Sequence, residues 1–244
     1  QKNRFSKKTM RLNKFLARCG IGSRRKCDEF IEQGKIKVNG NIVDYFSYTV
    51  KSTDYVQYNN KILNLVEEDY IYILNKPMGY VSTSNDPKGR KKVLDLIDSQ
   101  VRLFNVGRLD YNTTGLILFT NNGDIANKLL HPKNEIIKKY YVESSDRFLD
   151  EDLKKIQNGI NINGFGRVSV KINLEHRENK NSYIWDVSLS SGKNRVIRRI
   201  FSFYNIKIKK LHRYEFAGIK LNNIKSGQYK RMKLGKFNEI VFNK

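Results

Sequence analysis

The chain contains 244 residues, 39% of them hydrophobic and 11% aromatic, and carries a formal net charge of +23. This apolar content can form a buried core, which excludes an intrinsically disordered chain, and the length allows one sizeable domain plus a small one. No stretch of about 18 apolar residues could span a membrane and no signal-peptide pattern occurs, so we expect a cytoplasmic protein that does not bind a membrane.

The first predicted elements are a basic arm and two short helices. Residues 1–9 are basic and contain few apolar side chains, which predicts a disordered arm. Apolar residues spaced as on one face of a helix follow over residues 11–19, and Gly20 ends this pattern. Ser23 is predicted to cap a second helix that ends at Gly34.

A hairpin and a linker come next. Asn39-Gly40, the residue pair typical of a two-residue hairpin turn, separates short apolar segments on either side. Together with the two helices, this hairpin predicts a small domain over residues 10–60. Residues 61–69, which contain three consecutive acids, are predicted to be the linker.

Strands predominate in the remainder of the chain. They are predicted over residues 70–74, 106–109, 116–120, 136–143, 168–174, 183–189 and 206–211, with helices over residues 124–131, 150–157 and 194–204. Because strands and helices do not alternate, this order excludes a doubly wound sheet. It indicates an α+β domain with a mostly antiparallel sheet over residues 70–244.

One carboxylate, Asp110, is predicted to lie where an apolar strand meets a glycine-containing turn. The apolar residues 116–119 that follow are typical of a buried strand, so Asp110 is placed beside a core. Burial disfavours the ionised form of a carboxyl group unless a cation lies nearby, so a functional aspartate here requires an arginine or lysine partner. The alternative is a turn aspartate that caps the local backbone.

Four motifs in the chain resemble those of the RsuA/RluB family of rRNA pseudouridine synthases. They are Lys76-Pro77-x-Gly79, GRLDYNTTGL at residues 107–116, Lys138-x-Tyr140-x-Val142 and GKNRVIRRIF at residues 192–201. Each motif alone is a weak signal, but their shared order over about residues 70–232 is specific. The segments 86–90 and 122–132 are most similar to the RluB branch, which modifies large-subunit rRNA.

This resemblance implies that the chain isomerises uridine to pseudouridine with Asp110 as the catalytic residue. Whether the carboxylate attacks covalently or removes a ribose proton stays open. The resemblance further implies that a flipped uracil stacks on Tyr140, that Arg198 pairs with Asp110, that Arg108 fills the space left by the base, and that Ile197 walls the pocket. Arg108, two residues before Asp110, is expected to point the same way along a strand.

For three of these residues a structural role remains an alternative. Tyr140 could be an aromatic residue of the strand core, Arg198 one more phosphate-binding arginine, and Arg108 part of a plain ion pair. The family usually has glutamine at the position of Val196, which puts one polar contact near the site in doubt.

The N-terminal segment resembles the S4 RNA-binding domain over about 50 residues. The matching pattern is Arg11-Leu12-x-Lys14-x-Leu16-Ala17, Ser23-Arg24-Arg25 and Gly34-x-Ile36-x-Val38-Asn39-Gly40. A helical hairpin with solvated charges is the alternative. RNA binding is assigned to Arg11, Lys14, Arg24, Arg25 and Lys26 in this segment, and to Lys193, Arg195 and Arg199 near the C-terminus.

The distribution of charge supports an RNA partner. Residues 1–40 hold 12 Lys and Arg against 3 acids, and residues 192–244 hold 15 against 2. The residues between them are nearly balanced, with 20 basic against 19 acidic side chains. Basic surface concentrated in this way is typical of nucleic-acid binding, whereas a merely solubilising surface would be spread evenly.

No cofactor is expected, because the isomerisation neither oxidises the substrate nor transfers a group. No metal is expected either, because His131, His176 and His212 are scattered along the chain. Cys19 and Cys27 are eight residues apart, a spacing that fits neither a C-x-x-C pair nor a zinc site, so both are expected to be reduced. The expected partner of this monomer is ribosomal RNA of 23S type or a precursor ribosomal particle. A small-subunit rRNA synthase and a non-catalytic RNA-binding or ribosome-assembly factor are the alternatives.

Overall fold

The computed structural model describes residues 9–83, 86–179 and 182–242. The chain forms two compact units, one extending to Asp69 and including Gln100–Arg102, the other comprising Tyr70–Ser99 and the chain from Leu103 onward. The predicted arm over residues 1–9 lies outside the described residues except for Thr9. Within the described ranges, no helix is both long enough and apolar enough to cross a membrane.

The first unit contains two helices and two small antiparallel sheets in its described residues. Its elements are β1 (Met10–Arg11), α1 (Leu12–Arg18), α2 (Arg24–Glu32), β2 (Ile36–Val38), β3 (Asn41–Ile42), β4 (Thr49–Val50), β5 (Val56–Tyr58) and β6 (Lys61–Ile62). Strand β1 pairs with β4, and the larger sheet has the order β3-β2-β5-β6. The predicted cap of α2 is confirmed, since Ser23 Oγ accepts a hydrogen bond from Lys26 N at 3.2 Å.

The hairpin turn and the end of this unit follow from local conformation. Asn39 and Gly40 have φ angles of 52° and 86°, the left-handed conformations that a two-residue turn requires. The segment predicted as a linker over residues 61–69 is in part structured, because Lys61–Ile62 pairs with β5 and Leu63 is buried. A strand of two residues gives no apolar alternation, so the sequence pattern could not reveal it.

The second unit is built on a nine-stranded sheet, counted over the described residues. The strands of the unit are β7 (Ile71–Lys76), β8 (Phe104–Val106), β9 (Thr114–Thr120), β10 (Lys138–Ser144), β11 (Ile160–Ile162), β12 (Gly166–Val168), β13 (Lys171–Asn179), β14 (Ser182–Leu189), β15 (Ile208–Phe216), β16 (Ile219–Lys220) and β17 (Tyr229–Met232). Its α-helices in the described part are α3 (Gly123–Leu130), α4 (Asp150–Asn158), α5 (Val196–Phe203) and α6 (Leu234–Phe242).

The order of the large sheet is β13-β14-β10-β15-β9-β7-β17, with β16 on β15 and β8 on β9. Strands β9 and β15 run parallel, and the other pairs of named strands in this sheet are antiparallel. The predicted α+β class with a mostly antiparallel sheet is therefore confirmed. Strands β11 and β12 form a separate hairpin.

Apolar side chains of the central strands form the core of this unit. Ile73 of β7 and Leu118 of β9 belong to a buried cluster with Leu129 of α3 and Phe237 of α6. Burial of such side chains stabilises the fold by roughly 1.5–3 kcal/mol each. Elsewhere in the unit, Phe201 of α5 meets Phe148 edge-on, with ring centroids 4.8 Å apart. Packing thus fixes α5, the helix that carries the last motif.

Three predicted strands were wrong in their bounds, and the one over residues 206–211 extends to Phe216 in β15. The strand over residues 106–109 ends at Val106, because Gly107 adopts φ 76° and turns the chain away from the extended conformation. The strand over residues 168–174 is divided, since the chain leaves the β11–β12 hairpin after Val168 and joins the large sheet at Lys171. The end of β8 at Val106 matters for the site, because Asp110 now lies on a loop.

Candidate active site

The loop that carries Asp110 connects β8 to β9, and a buried serine holds its backbone. Ser82 Oγ donates to Leu109 O at 2.9 Å and accepts from Leu109 N at 3.2 Å. Directly after it, Thr113 N donates to Asp110 O at 3.0 Å and closes a turn. The backbone on both sides of the carboxylate is therefore fixed by hydrogen bonds.

Lys76 at the end of β7 holds the same loop from inside the protein. Its side chain is fully buried, and Nζ donates to the backbone oxygens of Thr113, Pro77 and Tyr111 at 2.8, 3.0 and 3.3 Å. Burial lowers the pKa of Lys76 to about 8, and the negative charge of Asp110 opposes this shift. The motif around Lys76 was recognised in the sequence, but the three carbonyl contacts depend on tertiary structure and could not be predicted.

Two arginines contact the carboxylate of Asp110, and both contact the same oxygen. Arg195 Nη1 lies 2.9 Å from Oδ2, and Arg198 Nε lies 3.3 Å from Oδ2. The Arg195 contact is a hydrogen bond, whereas Arg198 Nε lacks hydrogen-bond geometry and interacts through its charge. Among the described residues, no hydrogen bond or ion pair involves Oδ1. The Asp110 side chain is 30% exposed, so a substrate can reach the carboxylate.

Arg198 lies in the first turn of helix α5, and Arg195 is the residue directly before that helix. Arg195 adopts the left-handed conformation, with φ 53°, an uncommon state for a residue other than glycine. Arg198 reaches further, since its Nη2 donates to Asn112 O at 3.2 Å and to Thr113 Oγ1 at 3.3 Å. Burial lowers the pKa of Arg198, while Asp110 opposes that shift. Arg198 thus contacts both the carboxylate and its loop.

The central strands place an aromatic and a cationic side chain beside this loop. Tyr140 of β10 pairs with Arg213 of β15, and Arg213 pairs in parallel register with Gly115 of β9. A Cβ atom at Gly115, where φ is +106°, would lie 2.2 Å from Arg213 O. Only glycine therefore permits this close approach of β9 and β15.

A cavity of about 170 Å³ lies beside Asp110. All residues that the sequence analysis assigned to catalysis or substrate binding line it, namely Arg108, Asp110, Tyr140, Ile197 and Arg198. Tyr140 is only 8% exposed, so a ligand reaches the tyrosine from within the cavity. Val196 also lines the cavity, with an apolar side chain where the family usually has glutamine.

The prediction that Arg108 and Asp110 point the same way along a strand was wrong. Arg108 and Asp110 do not share a strand face, because β8 ends at Val106. Arg108 nevertheless lines the cavity, and its side chain is exposed. Salt bridges among the described residues include none to Arg108, so the ion-pair alternative has no support.

The C-terminal residues assigned to RNA binding divide into two groups. Lys193 and Arg195 line the cavity, and the contact of Arg195 with Asp110 was missed, although its three-residue spacing from Arg198 was a usable signal. Arg199 is exposed and does not line the cavity, and its guanidinium lies 4.4 Å from the Phe165 ring centroid. Lys193 lies over the same ring at 5.3 Å.

The residues assigned to RNA binding in the first unit are largely accessible. Arg11, Arg24, Arg25 and Lys26 are exposed, and Lys14 is half-buried. Three of them, Arg24, Arg25 and Lys26, form the first turn of α2.

The two cysteines of the first unit are free thiols. Burial raises the pKa of Cys19 to about 12 and that of Cys27 to about 11, so both thiols stay protonated at neutral pH.

The site as a whole combines an accessible carboxylate, an aromatic side chain and several cations in one cavity. Such a set can bind a polyanion through its cations while the carboxylate acts as a nucleophile or base. In the described parts of the chain, no group of three or more His, Cys, Asp or Glu side chains could hold a metal ion. The fold and this site fit an enzyme that acts on a nucleotide of a nucleic acid.

Comparisons with known proteins agree with this class. The family model described as RNA pseudouridylate synthase matches residues 70–203, and the S4 domain model matches residues 10–56. The chain therefore belongs to the RNA pseudouridylate synthase family and carries an S4 domain, which confirms the family predicted from the motifs.

Relatives cover nearly the whole chain. Ribosomal large subunit pseudouridine synthase B of Bacillus subtilis is 36% identical over 225 residues, which are 91% of each chain. An RNA pseudouridine synthase of Aquifex aeolicus is 34% identical over 95% of this chain and 93% of its own. The crystal structure of a pseudouridylate synthase superposes with a TM-score of 0.68 at 25% identity, covering 95% of this chain and all of the other.

Proposed function

We propose that this protein converts a specific uridine of large-subunit ribosomal RNA into pseudouridine, with Asp110 as its catalytic residue. The observation that carries the assignment of Asp110 is that the two oxygens of its carboxylate have different surroundings. Two arginines contact Oδ2, while Oδ1 is left without a partner among the described residues, beside a cavity that Tyr140 lines. The large-subunit target is supported by the B. subtilis relative.

The reaction breaks the bond between ribose C1′ and uracil N1, turns the base, and forms a bond from C1′ to C5. The target uridine must first leave the RNA stack, at a cost of a few kcal/mol. Stacking on Tyr140 offsets about 1–3 kcal/mol of this cost, and Ile197 walls the same space. Arg108, exposed at the cavity, is proposed to occupy the position that the base leaves.

Further basic residues are proposed to hold the RNA backbone. In the second unit these are Lys193 and Arg195, which line the cavity, and the exposed Arg199. In the S4 domain the same role falls to Arg11, Lys14, Arg24, Arg25 and Lys26. The division into an RNA-binding domain over residues 10–60 and a catalytic domain over residues 70–244 is part of this proposal, as are a monomeric state and a cytoplasmic location.

Mapping pseudouridines in ribosomal RNA tests the target. RNA from cells with and without the protein is treated with carbodiimide and read by primer extension. We expect one large-subunit site to disappear when the protein is absent and to return with the wild-type chain but not with Asp110→Asn. A lost site in small-subunit RNA would contradict the target, and an unchanged pattern in all ribosomal RNA would contradict the proposed substrate.

A further inference from the structure

Arg213 is a buried cation that has no carboxylate partner among the residues that the structure describes. It is 3% exposed and lines the cavity beside Asp110. Its Nε donates to Leu116 O at 2.7 Å, but Nη2 is buried without any hydrogen-bond acceptor. Among the described residues, no carboxylate forms a salt bridge with Arg213, whose guanidinium carbon lies 4.8 Å from the Phe216 ring centroid.

Such an arrangement is costly in a folded protein, because buried charges are normally paired and buried donors are normally bonded. The neighbouring Lys138 adds to the positive charge, since in the described part of the chain its Nζ bonds to the backbone oxygens of Ile136 and Ser190 and to no carboxylate. Burial, followed by repulsion from Arg213, lowers the pKa of Lys138 to about 8. Arg195 and Arg198 differ from this pair in having Asp110 as a partner. Two cations that line the cavity, Arg213 and Lys138, therefore have no carboxylate partner among the described residues.

The position of Arg213 indicates which part of a nucleotide would supply an electron-rich partner. Arg213 lies on the central strand β15, directly between Tyr140 and Gly115 on its two neighbours. In contrast, the exposed cations Arg108 and Arg195 line the same cavity from its accessible side. A flipped base is the part of a nucleotide that enters deepest, while its phosphates stay with the polymer. Uracil offers two carbonyl oxygens, O2 and O4, to donors such as a guanidinium.

We infer that Arg213 is a further catalytic residue, which donates hydrogen bonds to a carbonyl oxygen of the flipped uracil and stabilises the negative charge that the base acquires during isomerisation. This inference rests on the uridine chemistry proposed above for Asp110.

The electron balance of the reaction requires such a group. When the C1′–N1 bond breaks, its electron pair leaves with the uracil, and the charge spreads from N1 to O2 and O4. This holds whether Asp110 bonds to C1′ or first takes a ribose proton. C5 of the uracil then bonds to C1′ and loses its proton, N1 gains one, and the Asp110 carboxylate is restored. A preorganised cation at O2 or O4 binds the charged base more tightly than the neutral one, which accelerates the reaction.

The first experiment compares Arg213→Met and Arg213→Lys with the wild type. Single-turnover rates are measured at saturating ribosomal RNA, labelled with 5-tritiated uridine and taken from cells that lack the protein. We expect Arg213→Met to lower the rate about 100-fold or more, with the dissociation constant for RNA nearly unchanged, and Arg213→Lys to restore part of the rate. Arg147→Met, which removes an exposed charge of the same unit, is the control and should match the wild type.

Thermal unfolding separates this role from a structural one, and it requires no RNA. An uncompensated buried guanidinium contributes little to stability, so Arg213→Met should unfold within about 5 °C of the wild type. A loss of more than about 10 °C would identify Arg213 as a structural residue and overturn the inference. An unchanged rate, or a change in RNA affinity alone, would overturn it as well.

Substrate analogues then test the contact at the level of atoms. The mapped uridine is replaced in a synthetic rRNA fragment by 2-thiouridine or 4-thiouridine, because sulfur is a weaker acceptor than oxygen. At the contacted position, the thio substitution should slow the wild type but have no further effect on Arg213→Met. Full additivity at both positions would contradict the contact. If the wild-type protein does not modify the unsubstituted fragment, the proposed target is contradicted. Thermal unfolding of Arg213→Met would then still show whether Arg213 is a structural residue.

Discussion

The carboxylate of Asp110 has two oxygens in different surroundings. Oδ2 is held by Arg195 and Arg198, and the loop backbone is held by Lys76 and Ser82. A carboxylate held in this way loses little conformational entropy when a substrate arrives, and the two cations stabilise its negative charge. The two arginines are not equivalent, because Arg198 is 20% exposed and also bonds to Asn112 O, whereas Arg195 is 49% exposed.

At the scale of single residues, we predict that Arg198→Met lowers the maximal single-turnover rate about 100-fold. The carboxylate would lose a cation 3.3 Å from Oδ2, and the loop would lose the bond to Asn112 O that holds it. Arg198→Lys should restore part of the rate, and Arg195→Met, which removes the more exposed arginine, should have the smaller effect. Single-turnover kinetics at saturating ribosomal RNA measure these rates.

The control for this prediction is Arg199→Met, on the same helix but outside the cavity. It should weaken RNA binding and leave the rate at saturating RNA nearly unchanged. If Arg198→Met also weakens RNA binding without lowering the rate at saturating RNA, Arg198 binds the RNA backbone instead of supporting the carboxylate.

Part of this site could be predicted from the sequence, namely the part that depends on residues close together in the chain. Asp110, Tyr140 and Arg198 stand in short motifs, so their types and spacing were visible without a structure. The hydrogen bonds from Lys76 to the backbone oxygens of Tyr111 and Thr113 join segments far apart in the chain. The position of Arg213, whose Nη2 is buried without a partner, likewise depends on the pairing of distant strands. No local pattern encodes a contact between such distant backbone and side-chain atoms.

At the scale of elements, the site depends on the parallel contact between β9 and β15. We predict that Gly115→Ala destabilises the protein by more than about 3 kcal/mol, because the new Cβ would lie 2.2 Å from Arg213 O at a φ angle unsuited to alanine. Urea unfolding measures the change.

Gly123→Ala is the matched control, since no atom lies within 4 Å of the new Cβ and the residue begins helix α3. It should change the unfolding free energy by less than about 1 kcal/mol. Similar destabilisation by the two substitutions would mean that the approach of β9 to β15 is not what requires glycine.

Helices and strands with a marked apolar pattern were predictable to within a few residues. The predicted helix over residues 194–204 is α5 (Val196–Phe203), shortened because Arg195 takes a left-handed conformation. Strands β6 and β16, of two residues each, are too short for periodicity to reveal, and Gly107 ended β8 early. Pairing partners, such as β15 between β9 and β10, depend on long-range packing and were beyond sequence reasoning.

At the scale of the whole molecule, positive charge is concentrated in residues 1–40 and in residues 192–244. We predict that replacing Arg24, Arg25 and Lys26 together by glutamine weakens binding to ribosomal RNA and flattens its salt dependence by about 2 units of slope in log K against log salt. Binding to an rRNA fragment over a salt series measures this slope.

A triple exchange of Lys154, Lys155 and Lys171 to glutamine removes the same charge from exposed positions outside the cavity. This control should leave the slope nearly unchanged. Equal slopes for the two triple variants would show that net charge, and not the first turn of α2, determines RNA binding.

The central claim is that the carboxylate of Asp110 performs the chemistry, and Asp110→Asn tests it most directly. Asparagine keeps the shape of the side chain and removes its charge, so the variant should fold and bind RNA as the wild type does. The measurement is tritium release from 5-tritiated uridine in ribosomal RNA from cells that lack the protein. We predict no release above background from Asp110→Asn and full release from the wild type. Turnover by Asp110→Asn near the wild-type rate would contradict the assignment.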